Sequence, residues 1–152
     1  MFEANSYPEE VNVALSDFLL RMADTSLVLG HRLSEWCGHG PILEQDIALS
    51  NLALDLIGQA RNWYQLAATH LGQGQSEDDL AYLRDAGQYR NLLLVELPNG
   101  DFGHTVLRQF FFDAYHYHYL EALTESGDEN VANIAIKSLK ETTYHLKWSS
   151  EW

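Results

Sequence analysis

At 152 residues, with 46% apolar and 12% aromatic side chains, the chain can bury one globular core. Nine basic against 22 acidic residues leave a formal charge of −13, which argues against nucleic acid or an anionic membrane as partner. The single cysteine, Cys37, excludes an internal disulfide, and no segment reads as a signal peptide or membrane span, so a cytoplasmic location is expected.

Helical spacing predicts a first helix from about Pro8 to Cys37. Ser6 and Glu9 form a capping-box pattern, Pro8 suits the opening turn, and Gly38 suits a helix stop. One side carries Leu15, Phe18, Leu19, Met22, Leu29, Leu33 and Trp36. The other carries Asp17, Asp24, His31 and Glu35 among Val13, Leu20, Leu27 and Val28. A helix apolar on two sides is buried on two sides. The side with Asp24, His31 and Glu35 is assigned to the bundle interior. The stripe of Leu15, Phe18, Met22, Leu29, Leu33 and Trp36 is then expected to meet a partner chain.

The short link "GHGP" leads to a second helix from Pro41 to about Leu71, antiparallel to the first. Its apolar face runs through Leu49, Leu52, Leu56, Ile57, Ala60, Trp63, Tyr64, Ala67 and Leu71. Ser76 caps a short helix to about Asp85, and "NLLLVELPNG" reads as a short helix or packed connector. Asp101 caps a third long helix to about Glu125. There Asp113 and His116 share a face with Val106, Gln109, Leu120 and Leu123, while His118 points away. The three tyrosines Tyr115, Tyr117 and Tyr119 read as packing. A fourth long helix starts at Asp128, with Lys137, Lys140 and Lys147 outside and His145 inside beside Val131, Ile134, Ser138 and Thr142. The fold class is all-α, an antiparallel four-helix bundle.

Inward carboxylates and histidines on four helices invite comparison with di-iron carboxylate bundles. Those take a Glu from each of two helices and a Glu-x-x-His pair from each of the others, because hard iron ions favour bridging carboxylates. Here the first helix offers Glu35 and the third offers Asp113 with His116. The second reads Asp55-x-x-Gly58 or Leu56-x-x-Gln59, and the fourth reads Thr142-x-x-His145, with Glu141 four residues before that histidine. At least two ligands are missing. A hydrogen-bonded polar core in place of a lost metal site is the expectation, with no metal and no catalytic residue in this chain. There is no phosphate-binding loop and no nucleophile elbow, and Cys37 beside His39 is expected to be a buried thiol.

Four segments, "VLGHRLSEWCGHGP", "LALDLIGQARN", "NLLLVELPNGDFG" and "KETTYHLKWS", resemble the PaaC family. These are the C subunits of bacterial ring-1,2-phenylacetyl-CoA epoxidases, multicomponent oxygenases of phenylacetate breakdown. The resemblance implies a ferritin-like fold over one domain, 1–152, short of the family's C-terminal part. It also implies a structural subunit that supports a catalytic A subunit holding the di-iron centre, alongside the other subunits, with self-association in isolation as a further state. The residues at the vestigial centre would then be Glu35, Asp55, Leu56, Gln59, Asp113, His116, Thr142 and His145. The competing class is a stand-alone di-metal oxidase or iron-storage protein, and a third is a thioester-binding module.

Overall fold

Asp101 and Asp128 do what short acidic residues do ahead of a helix. Asp101 accepts the His104 N–H at 2.8 Å, and Asp128 accepts those of Asn130 and Val131. Ser76 and Asp79 close a reciprocal capping box. These caps start three of the five α-helices of the computed structural model, which describes residues 7–152. The helices are α1 (Glu9–Ser34), α2 (Leu43–Leu71), α3 (Glu77–Tyr82), α4 (Phe102–Leu123) and α5 (Glu129–Ser150). The expected pairing of Ser6 with Glu9 falls on a residue outside the described ones. Gly72 ends α2 at φ +63°, a left-handed position that suits glycine. The "NLLLVELPNG" stretch is a connector holding one 3₁₀ turn, Leu93–Glu96. No strand occurs among the described residues.

Short links make α1 and α2 one antiparallel hairpin and α4 and α5 another. Residues 72–101 cross between them along α1. The Arg90 N–H donates to Asp24, the Leu92 N–H to Thr25 Oγ1, Arg32 to the Glu96 carbonyl, and Asn99 to the Arg32 carbonyl. The crossover therefore runs parallel to α1, and α4 starts beside the end of that helix. There Trp36 Nε1 donates to Thr105 Oγ1 at 3.0 Å. One long crossover between two hairpins is the ferritin-like connectivity. At Gly30 a Cβ would lie 3.0 Å from the Ile57 side chain and 3.2 Å from the Ala53 carbonyl, so α1 and α2 touch closely there.

The core has two apolar layers. One joins Leu19, Met22 and Leu27 to Trp63, Tyr64, Leu120 and Ile134. The other joins Leu29 and Leu33 to Leu49, Leu52, Leu56, Phe112 and Trp148. Between them α2, α4 and α5 each present polar side chains, so a polar layer crosses the middle of the bundle.

This arrangement corrects the assignment of α1. Leu19, Leu29 and Leu33 have no exposed surface, and Met22 keeps only 7%. Leu15, Phe18 and Trp36 are half-buried against the same core. Fully burying one such leucine is worth about 1.5–3 kcal/mol, and the chain's own helices take that gain. The stripe is core, and it is not a free surface for a partner. The other side of α1 splits. Asp24 and Leu27 are buried, partly beneath the crossover, whereas His31 and Glu35 are exposed. Cys37 is exposed, since α1 ends at Ser34, three residues before it.

Candidate functional site

The polar layer is assembled from side chains three or four residues apart, the spacing that stacks them on one helix face. From α2 come Asp55, Leu56 and Gln59. Gln109, Asp113 and His116 come from α4, and Glu141, Thr142, His145 and Ser149 from α5.

His145 has 1% of its side chain exposed, and its Nε2 lies 3.0 Å from Asp55 Oδ2. A carboxylate only accepts, so Nε2 carries the proton of this bond, which leaves Nδ1 as the other ring nitrogen. That Nδ1 has no hydrogen-bond partner among the described residues. His116 Nε2 donates to Gln59 Oε1 at 3.2 Å, and Gln59 Nε2 donates to Glu141 Oε2 at 3.0 Å. Burial first, and then the nearby His145, lower the His116 pKa to about 3, so this ring is neutral. Asp113 has no exposed surface. Its carboxyl accepts from Gln109 Nε2 at 2.6 Å and from the Ser149 hydroxyl at 2.7 Å. Burial raises its pKa to about 7, against the opposing pull of His145, Ser149 and Gln109. Asp113 thus holds a proton part of the time at neutral pH.

Seven of the eight residues expected at the centre lie in or against this layer, Leu56 as its border with the second apolar layer. Leu56 and Thr142 are fully buried there, the latter with an unpartnered hydroxyl. The eighth, Glu35, is a correction. It follows the last residue of α1, its side chain is 52% exposed, and it pairs with Arg32 at 2.9 Å and accepts from Asn99 at 2.9 Å. Its backbone is still helical, and it lies on the same exposed face as His31, four residues before it.

The donor set does not fit two metal ions. Leu56 has no donor atom, Thr142 offers only a hydroxyl, and Gln59 spends its amide on His116 and Glu141. With Glu35 outside, too few carboxylates remain to bridge a pair of hard cations. Among the described residues, no group of three or more His, Cys, Asp or Glu could share an ion. What the layer can do is hold protons and fix helix register through hydrogen bonds. Sequence reasoning does not assign Gln109 and Ser149 to the centre, although each lies four residues from a predicted member.

A second buried network ties the crossover down. The Asp24 carboxylate accepts from the Tyr64 hydroxyl at 2.5 Å, from the Arg84 guanidinium, and from the Arg90 N–H at 2.7 Å. Burial, and then the hydrogen bond to Asp24, push the Tyr64 phenol well above its ordinary range, so it stays a donor. Arg84 also lies over the Tyr89 ring, 4.5 Å from its centroid.

Two hairpins, one long crossover and a central polar layer define a ferritin-like helical protein, with no complete di-metal ligand set among the described residues. The chain belongs to the phenylacetic acid catabolic protein family, whose model matches residues 1–152. A relative from Escherichia coli (strain K12), named as the C subunit of 1,2-phenylacetyl-CoA epoxidase, is 51% identical over 138 residues. The match covers 91% of this chain and 55% of the relative, so the chain spans about half the length of the relative it matches. No helix among the described residues is long and apolar enough to cross a membrane.

Proposed function

We propose that this chain is a non-catalytic structural subunit of a cytoplasmic, multicomponent oxygenase that converts phenylacetyl-CoA to its ring-1,2-epoxide in aerobic phenylacetate breakdown. Its role is to dock on the catalytic A subunit, which carries the di-iron centre, and to hold that subunit's helices in their working arrangement. This chain itself takes no metal. The observation that carries the reading is the polar layer. Leu56, Gln59 and Thr142 bring no carboxylate or imidazole to it, and most of the remaining polar groups bond one another, which supports the reading. The 51% identity to a protein named as the C subunit of the epoxidase supports the same role.

Co-expression with the catalytic A subunit tests it. The two should co-purify, and phenylacetyl-CoA turnover by the A subunit should depend on this chain. Turnover by the A subunit alone, undiminished and with no complex formed, would end the scaffold role.

A further inference from the structure

Where α1, the crossover and α4 meet, their side chains form a cavity of about 240 Å³. Its walls are aromatic. Phe18 lies 6.5 Å from Tyr119, and Tyr119 stacks on Tyr115 at 5.4 Å with 19° between the rings. No carboxylate lines the cavity, in a chain with 22 acidic residues, whereas two of its nine basic side chains do. These are Arg21 and Arg90, both more than half exposed, which places them at the rim. Asp17, outside the lining, meets both guanidiniums, at 2.7 Å from Arg21 Nε and 3.7 Å from Arg90 Nε. One carboxylate shared by two guanidiniums leaves a positive charge over. The terminal nitrogens of both arginines make no hydrogen bond among the described residues. The polar group of the interior is His116, which keeps only 3% of its surface. Its Nε2 is committed to Gln59 Oε1 at 3.2 Å, and its Nδ1 makes no hydrogen bond among the described residues. That ring is neutral, so Nδ1 is a buried acceptor without a donor.

We propose that this cavity binds a small aromatic acid carrying a hydroxyl at the end of the ring away from its carboxylate. Each part of such a ligand answers one feature of the site. Phe18, Tyr115 and Tyr119 pack a planar ring. Arg21 and Arg90 hold a carboxylate by charge-assisted hydrogen bonds, which the guanidinium fork favours. The hydroxyl donates to His116 Nδ1 and ends the cost of leaving that nitrogen unmet. Size sets the limit, since pockets for drug-sized ligands run to roughly 300–1,000 Å³. A cavity of about 240 Å³ admits one ring with a short side chain. A thioester offers the arginines no carboxylate. Arg90 belongs to the crossover, so an occupied cavity ties that segment to α1 and α4. The inference stands apart from the scaffold role, because this chain alone builds the cavity.

Calorimetric titration of this chain with 4-hydroxyphenylacetate tests it, beside phenylacetate, 4-methylphenol and phenylacetyl-CoA. The hydroxy acid should bind with a Kd of roughly 1 mM or tighter, as expected of a ligand this small. Phenylacetate lacks the donor and 4-methylphenol lacks the acid, so each should bind roughly tenfold more weakly. Arg21→Gln and Arg90→Gln alter exposed side chains, and the Arg90 N–H to Asp24 survives the second change. Both should keep the parent's melting temperature, and each should weaken the hydroxy acid by roughly fivefold or more. Arg61→Gln, at an exposed arginine of α2, should bind it like the parent. No binding of the hydroxy acid at about 10 mM would overturn the inference. Equal binding of phenylacetate would remove His116 from the site, and unchanged binding by both arginine variants at the rim would put the ligand elsewhere. Either result overturns it. Binding of phenylacetyl-CoA with none of the free hydroxy acid would make the occupant a thioester, and the inference would fail.

Discussion

Replacing Asp24 with alanine should be among the most damaging single changes in the chain. The carboxylate has no exposed surface and accepts hydrogen bonds from Tyr64, Arg84 and the Arg90 backbone. The Arg84 side chain is itself only 12% exposed. Alanine strands a guanidinium, a phenol and a peptide N–H together, and breaking a buried pair from one side costs about 3–5 kcal/mol. Arg84 keeps some relief, because it also donates to the Leu80 carbonyl at 2.6 Å and the Gln88 carbonyl at 3.2 Å. The expected cost is therefore near the lower end, about 3 kcal/mol. For a chain of this length that lowers the melting temperature by roughly 6–12 °C. Urea and thermal unfolding followed by circular dichroism would measure it, and hydrogen exchange at the Arg90 amide would show the crossover loosening. The paired change Asp24→Leu with Arg84→Met should recover much of the loss, since it removes both charges. A cost below about 1 kcal/mol for Asp24→Ala would refute the view that this carboxylate clamps the crossover.

The pH dependence should be visible in two opposed variants. Asp113 is raised from 3.8 to about 7, so its contribution is full at low pH and is lost as pH rises toward 7. His116 is lowered from 6.5 to about 3, so its contribution is full above 6.5 and is lost as pH falls toward 3. The two offset each other between roughly pH 4 and 6.5, at up to about 1.4 kcal/mol per pH unit each. Denaturation across that window should show Asp113→Asn gaining stability as pH rises and His116→Gln losing it. Parallel curves would contradict both assignments. Leu33→Ala should cost about 2–5 kcal/mol of folding stability by urea denaturation, as a fully buried leucine does. Glu35→Ala, on an exposed ion pair, should cost under about 1 kcal/mol in the same assay.

Much of this architecture is legible in local chemistry. Ser76, Asp101 and Asp128 announce their helices, and the faces of α2, α4 and α5 follow from 3.6-residue spacing. Three features are not legible. In α1 both sides are apolar, and spacing alone cannot tell which side meets a helix and which is roofed by a crossover. Glu35 shares a face with His31, and spacing does not tell that this face is exposed at that end of α1, where Arg32 and Asn99 bond its carboxylate. The partner of Asp24 lies 60 residues away, and periodicity says nothing about such contacts. In the polar layer the helix positions are readable, whereas the bonding pattern is not. That His116 reaches Gln59, and His145 reaches Asp55, depends on helix register across the bundle.

The most direct measurement is the iron retained by this chain alone after anaerobic loading with Fe(II) and removal of the excess. A scaffold subunit whose central layer lacks the carboxylates of a di-metal site should retain none above a control carrying Gln59→Leu and His145→Leu. A bound pair of irons per chain, lost in that control, would contradict the assignment and make the chain a di-metal protein in its own right.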